Sequence, residues 1–396
     1  MTRQLTIRGN EEERWRAPYI TDLIKESVRT RPKREMPTKT LADVVESIIG
    51  VSYIDGGLPK AVDCMSRFLG NFQFRNVDAA RDTLFGAAEP KNMALPPAFK
   101  PVEEMIGYSF HEKSLLVEAM THASLNVPGT TACLDRLEFI GDSILDYIIV
   151  KELFAINEPA PLENWEMHLF RTALVNGDIL GFLVMEWSST QLRFDVVPSD
   201  DDNGSPGPRR KPPPPELRGT EVAQPLWSFM RYSSNEMTVD REATCRRHQA
   251  LRGPILDAVR AGTHYPWALL ARLRAQKFFS DLYEALVGAV WVDSGSFDEC
   301  RAFVERSGVL PYLRRMRRDG VHVLHPKEEL GRLAGNEAVE YRVREVEVED
   351  GEGREFVCKL LVGDRVVVNL GGAKFKEEAK VKAATEAVRI LSGRGA

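Results

Sequence analysis

Two short stretches of the chain concentrate the residue types that could do chemistry. From Cys133 to Lys151 the apolar positions Leu137, Ile140, Ile144, Leu145, Ile148 and Ile149 recur at three- and four-residue steps, which predicts a helix packed on a core. Glu138 and Asp142 sit one turn apart on it, and their row continues through Leu145 and Ile149, so two carboxylates open a stripe that should otherwise face protein. From Lys277 to Val292 the chain is apolar nearly all round, which predicts a buried helix whose only acids are Asp281 and Glu284, with Lys277 one turn before Asp281. If the two helices pack together, four carboxylates converge. An all-oxygen cluster of this kind suits hard divalent ions, magnesium or manganese, and a two-metal arrangement can cut a phosphodiester. The bland alternative, that each acid pair is merely solvated, loses ground when both pairs lie on apolar helices.

Three neighbours compete for roles. Lys277 places a cation beside Asp281, where it could support charge on a scissile phosphate or a carboxylate, and it is counted with the four acids as a catalytic candidate. His122 reads as a packing or hydrogen-bonding histidine, because a metal-bound water needs no imidazole base. Asp146, one turn after Asp142, reads as a supporting acid. Cys245-Arg-Arg-His248 has ligand-like spacing without a second pair, which argues against structural zinc.

The run Leu137-Glu138-Phe139-Ile140-Gly141-Asp142-Ser143 closely resembles the signature of ribonuclease III enzymes, and the helix of Asp281 and Glu284 resembles their second acidic motif. Upstream, Ile106-Gly107-Tyr108-Ser109-Phe110 with Thr121-His122-Ala123-Ser124 looks like the opening of the same domain, and Pro266 to Lys277 together with the general layout looks like the carboxy-terminal part of a fungal Dicer-like protein. The resemblance implies a mainly α fold, with Glu138, Asp142, Asp281 and Glu284 holding Mg2+ or Mn2+.

A repeat supports the two-nuclease layout of that family. Lys39-Thr-Leu-Ala-Asp43-Val-Val-Glu46, followed by Gly50, Asp55 and Gly57, matches Lys277-Phe-Phe-Ser-Asp281-Leu-Tyr-Glu284, followed by Gly288, Asp293 and Gly295, at a constant spacing of 238 residues. Asp142 precedes Asp281 by 139 residues, so an equivalent partner for Asp43 and Glu46 would fall before Met1. The expectation is one complete acid quartet and half of another, as in a truncated piece or a chain that has lost the rest.

The expected organisation is a carboxy-terminal remnant of a first nuclease domain over 1–84, a proline-containing linker over 85–101, a complete domain over 102–318, and a small α+β domain over 322–393. The complete domain is expected to carry an insertion at about 196–260. Its first part, Val196 to Leu217, is rich in Pro, Gly, Ser and Asp, cannot bury a core and should lack structure, and the run Arg209-Arg210-Lys211 within it reads as solvated charge. Helical patterning returns from Leu226 to Arg260, and a further helical pattern covers about Ala17 to Leu69.

The last segment reads as helix, three strands and helix, which resembles a double-stranded-RNA-binding domain. The resemblance implies that Lys374, Lys376 and Lys380, at the start of the terminal helix, meet phosphates. Glu377 stands where the family has a second lysine, and the loop around Asp350-Gly351-Glu352-Gly353 is acidic.

Composition fits without deciding: 396 residues leave room for two or three domains, and a formal net charge of −5 is compatible with basic surfaces cancelled by clustered acids. Five scattered cysteines read as reduced intracellular thiols, cytoplasmic or nuclear, and no run is apolar enough to span a bilayer. Together with the resemblance, these features predict an endoribonuclease that cuts double-stranded RNA into short duplexes with 3′ overhangs for gene silencing. They also predict that it self-associates or pairs with another such domain. The rival reading is a non-catalytic RNA-binding or scaffold relic of such a protein.

Overall fold

In a computed structural model of the chain, the structure describes residues 38–68, 76–125, 132–158, 160–197, 216–347 and 354–393. It divides into two units, Met1–Thr83 and Leu84–Ala396.

The first unit centres on helix α1 (Thr38–Phe68), whose helical dihedrals lapse at Gly56 and at Gly57, with φ +68° at the latter. Lys39 Nζ donates to Asp43 Oδ1 at 3.3 Å, and Val44, Ile48, Val51 and Ile54 are exposed among the described residues. The helical pattern expected upstream of Thr38 lies outside the described residues. Helix α2 (Val77–Gly86) follows.

The second unit opens with α3 (Lys100–Ile106) and α4 (Lys113–Ala119), so the proline-containing linker is already helical by Lys100. Its core is built round α10 (Lys277–Ser294), which is buried on nearly every side from Phe279 to Asp293 and ends at Gly295, a left-handed residue with φ +67° whose N–H bonds the Trp291 carbonyl at 2.8 Å. Each leucine buried there contributes about 1.5–3 kcal/mol of hydrophobic burial. Helix α5 (Asp135–Ala155) packs along one side of α10 through Leu137, Ile144, Leu145 and Ile148, and α7 (Gly177–Glu186) along another. Between α5 and α7 runs α6 (Asn164–Leu174), started by a reciprocal capping pair of Glu163 and Glu166.

Strands β1 (Ser188–Val197) and β2 (Glu216–Pro225) form an antiparallel ladder. This corrects one expectation. Val196 and Val197 and, opposite them, Leu217 and Glu216 lie inside the stretch read as structureless yet belong to the two strands, because strand pairing satisfies their backbone groups without a core. The proline-rich centre, with Arg209, Arg210 and Lys211, lies outside the described residues. Helix α8 (Asn235–Ala261) buries Leu251 and Ile255 and packs on α7 and on α9 (Trp267–Leu273). Helices α11 (Phe297–Arg306) and α12 (Val309–Arg318) complete this part.

The terminal region has α13 (Pro326–Ala334), then β3 (Val339–Glu347), β4 (Arg354–Val362) and β5 (Arg365–Ala373) in that order in one antiparallel sheet, then α14 (Lys376–Leu391). Alternate residues Cys358, Leu360 and Val362 of β4 pack with Leu330, Ala379, Ala383 and Ala387 of the helices, the two-residue period of a strand with one face buried. The acidic loop at Asp350 to Gly353 lies outside the described residues. None of the helices described is long and apolar enough to cross a membrane.

Candidate active site

Helices α5 and α10 approach so closely that side chains are excluded at the crossing. A Cβ on Gly141 would come to 1.7 Å from the Glu284 carbonyl, and one on Gly288 to 2.1 Å from the Leu137 carbonyl. Two glycines, one on each helix, therefore let the backbones touch, and the acids that flank them meet. Glu138, Asp281 and Glu284 each bring a carboxylate oxygen within 4.8 Å of the others, the one such group of three among the described residues. Asp142 is exposed and lies one turn along α5, outside that trio, but its charge reaches Glu284. Asp43 and Glu46 belong to no such group among the described residues.

Lys277 bridges the two helices. Its Nζ donates to Glu138 Oε1 and to Asp281 Oδ1, each at 2.6 Å. A cation in the first turn of a helix opposes the helix dipole. Here the two carboxylates outweigh that: partial burial works against the ammonium, but the hydrogen bonds it donates to Asp281 and Glu138 hold its pKa above the ordinary lysine value. The pair Lys39 and Asp43 repeats the contact of Lys277 with Asp281 at the same spacing in the first unit.

The electrostatics record too much negative charge in one place. Burial, then the charges of Asp142, Asp281 and Glu138, push Glu284 up to about 8. Burial pushes Asp281 up to about 6 against the opposing hydrogen bond from Lys277. Partial desolvation beside the other acids, then the charge of Asp146, raises Asp142 although its side chain stays exposed. Carboxylates that resist ionisation in company, with one lysine shared between two of them, form a donor set short of positive charge. Oxygen-only ligands in this state fit a hard divalent cation.

The surroundings fix the two helices. Arg136 at the start of α5 is paired bidentately with the buried Glu118, its Nη2 lying 2.7 Å from Oε2. At the far end of α10 the buried Asp293 accepts from Tyr108 Oη at 2.6 Å and from the backbone N–H groups of His111 and Glu112 at 2.8 Å. Asp146 is held by Arg171 Nε at 2.8 Å and Nη2 at 2.6 Å, which ties it to α6. His122 accepts at Nδ1 from the Ser124 N–H at 3.1 Å, and burial lowers its pKa, in keeping with a packing role. His248 pairs with Glu186 at 2.7 Å, and Cys245 is a free thiol.

At the terminal helix, Lys374 Nζ pairs with Glu355 at 3.0 Å, Lys376 Nζ lies 6.0 Å from the Phe356 ring, and Lys380 is half-buried. Glu377 forms an ion pair with Lys327 of α13.

Sequence reasoning missed the closeness of Gly141 and Gly288, the Arg136 anchor and the Asp293 tether. A signal existed for two of them. Gly288 and Asp293 both recur in the repeat, as Gly50 and Asp55, without any chemistry to explain them.

Residues 135–295 match the model of the ribonuclease III domain. This chain contains a ribonuclease III domain. Residues 319–396 match the double-stranded-RNA-binding domain model of Dicer-like protein 2. Among curated relatives, Dicer-like protein 2 of Cryphonectria parasitica is 59% identical over 99% of this chain and 27% of its own length, and that of Pyricularia oryzae is 45% identical over 91% and 25%. The chain thus spans about a quarter of the length of the relatives it matches. Among solved structures, the nuclease domain of ribonuclease III from Campylobacter jejuni aligns with 53% of this chain and 94% of its own, at 19% identity and a TM-score of 0.30.

Proposed function

We propose that the ribonuclease III domain of this chain is an endoribonuclease that hydrolyses double-stranded RNA with Mg2+ or Mn2+ held by Glu138, Asp142, Asp281 and Glu284. The observation that carries this reading is the meeting of Glu138, Asp281 and Glu284 within 4.8 Å, with Lys277 shared between two of them. Bound there, the cation would lower the pKa of an attacking water and stabilise charge on the leaving 3′ oxygen.

The chain's own residues do the rest. Glu284, with its pKa near 8, gives up its proton to become a ligand, so occupancy of the site rises with pH. Lys277, whose side chain is 74% exposed, presents its ammonium at the mouth of the cluster, where it meets an incoming phosphate. Arg171 engages Asp146 and keeps it out of the ligand set. The resemblance of its motifs to those of Dicer-like proteins is what supports release of short duplexes that feed gene silencing.

The test is direct. Purified chain incubated with long duplex RNA and magnesium should give short products on a denaturing gel. Glu284→Gln and Asp142→Asn should each lower the rate by about 100-fold or more with an unchanged circular-dichroism spectrum. Undiminished cutting by either variant removes the assignment.

A further inference from the structure

The connection Arg274-Ala275-Gln276, between α9 and α10, delivers Lys277 and Asp281 to the acid cluster. Arg274 adopts a left-handed conformation with φ +44°, one of two non-glycine residues with positive φ among those described. A strained residue of this kind persists where its surroundings over-determine it. From within the nuclease domain, the Arg274 N–H bonds the Leu270 carbonyl at 2.8 Å, and Arg247 of α8 donates to the carbonyls of Leu273 at 2.8 Å and Arg274 at 3.1 Å.

The terminal domain closes over the same connection from outside. Phe375, the residue before α14, has the Arg247 guanidinium 5.2 Å and the Arg274 guanidinium 4.9 Å from its ring centroid. Two guanidiniums beside one another repel, and an aromatic ring within reach of both supplies a compensating negative face. One turn later the fully buried Glu378 meets Arg272 of α9 at 3.7 Å, Lys382 at 2.9 Å and the Lys374 N–H at 2.7 Å. A buried carboxylate with a partner on the other domain specifies one docked arrangement, because separation would leave it without that charge. The lead-in to the terminal domain is sewn down as well. Tyr265 N–H bonds the His322 carbonyl at 2.9 Å, His322 N–H bonds the Thr263 carbonyl at 2.8 Å, and Trp267 Nε1 reaches the Val323 carbonyl at 3.2 Å.

We propose that the terminal domain is a brace for the nuclease site, in which Phe375, gripped by Arg247 and Arg274, acts as a positioning residue that fixes the α9–α10 connection and, through it, Lys277 and Asp281. The brace stands on contacts alone; only its effect on metal binding rests on the reading of the acid cluster given above.

Amide hydrogen exchange of the full chain tests it. In Phe375→Ala and in Phe375→Leu, which keeps apolar volume but has no ring, amides of residues 274–281 should exchange about tenfold faster. The strand 358–362 and helix residues 144–149 should keep their protection, and Phe375→Tyr should restore the slow exchange. Titration with Mn2+ should show a several-fold weaker affinity in the first two variants and recovery in the third. Unchanged exchange at 274–281 in Phe375→Leu overturns the brace, whatever Mn2+ does. If exchange responds as stated but the unaltered chain takes up no Mn2+, the brace holds and the metal reading falls.

Discussion

Gly141 of α5 lies against the backbone carbonyl of Glu284 in α10, so close that a methyl group in its place would stand 1.7 Å from that oxygen. The glycine is what lets Glu138 and Glu284, one on each helix, share a site. Gly141→Ala should therefore push the helices apart, destabilising the fold by about 1–3 kcal/mol as overpacking does and dispersing the carboxylates. Gly50, the repeat counterpart of Gly288, has nothing within 4 Å of an added Cβ among the described residues. Gly50→Ala should instead be neutral or stabilising by up to about 1 kcal/mol, the helix-propensity gain. Thermal unfolding of the two variants side by side checks both signs.

The raised acids predict a pH dependence opposite to that of an ordinary carboxylate. A Glu284 that titrates near 8 in the fold and near its usual value when unfolded favours the folded state fully below the unfolded pKa. That contribution is lost as pH rises from about 4.5 to about 8. Without divalent cation the melting temperature should therefore fall across this window. Magnesium should offset the fall, most strongly at the alkaline end where the ligands are ionised, and Glu284→Gln should flatten the profile. A melting temperature in chelator that rises steadily from pH 5 to pH 8 would contradict the cluster's electrostatics.

Glu377 predicts a gain by substitution. It is paired with Lys327 and sits in the first turn of α14, next to Lys376 and shortly after Lys374. Glu377→Lys should tighten duplex binding and steepen its dependence on salt by about one unit of slope on a log–log plot, one added phosphate contact. Fluorescence anisotropy at a series of salt concentrations measures both.

Phe139 follows Glu138 directly and is 75% exposed, an aromatic surface beside the acids. Large exposed apolar groups of this kind mark association surfaces. The purified chain should self-associate through its ribonuclease III domain, and Phe139→Asp should shift it to monomer while leaving the melting temperature nearly unchanged. Light scattering during gel filtration reads this; a monodisperse monomer making double-strand cuts at low concentration would refute the association.

The two acid-bearing helices, the repeat and the helix–strand–helix order of the terminal domain were legible in the sequence, because periodicity and motif spacing are local properties of the chain. Lys277 beside Asp281 was legible for the same reason, since four residues make one turn. The tertiary structure alone decided which acids meet. It brought Glu138, Asp281 and Glu284 together and left Asp142 at the edge, because the crossing is set by Gly141 and Gly288, whose contacts join residues 143 or more positions apart. It also decided the surroundings of the terminal helix. The resemblance implies that Lys374, Lys376 and Lys380 meet phosphate; the fold adds that Phe375 lies beside Arg247 and Arg274 and Glu378 against Arg272. Such pairings depend on how two separately folded surfaces fit, and no period or spacing along the chain encodes that fit.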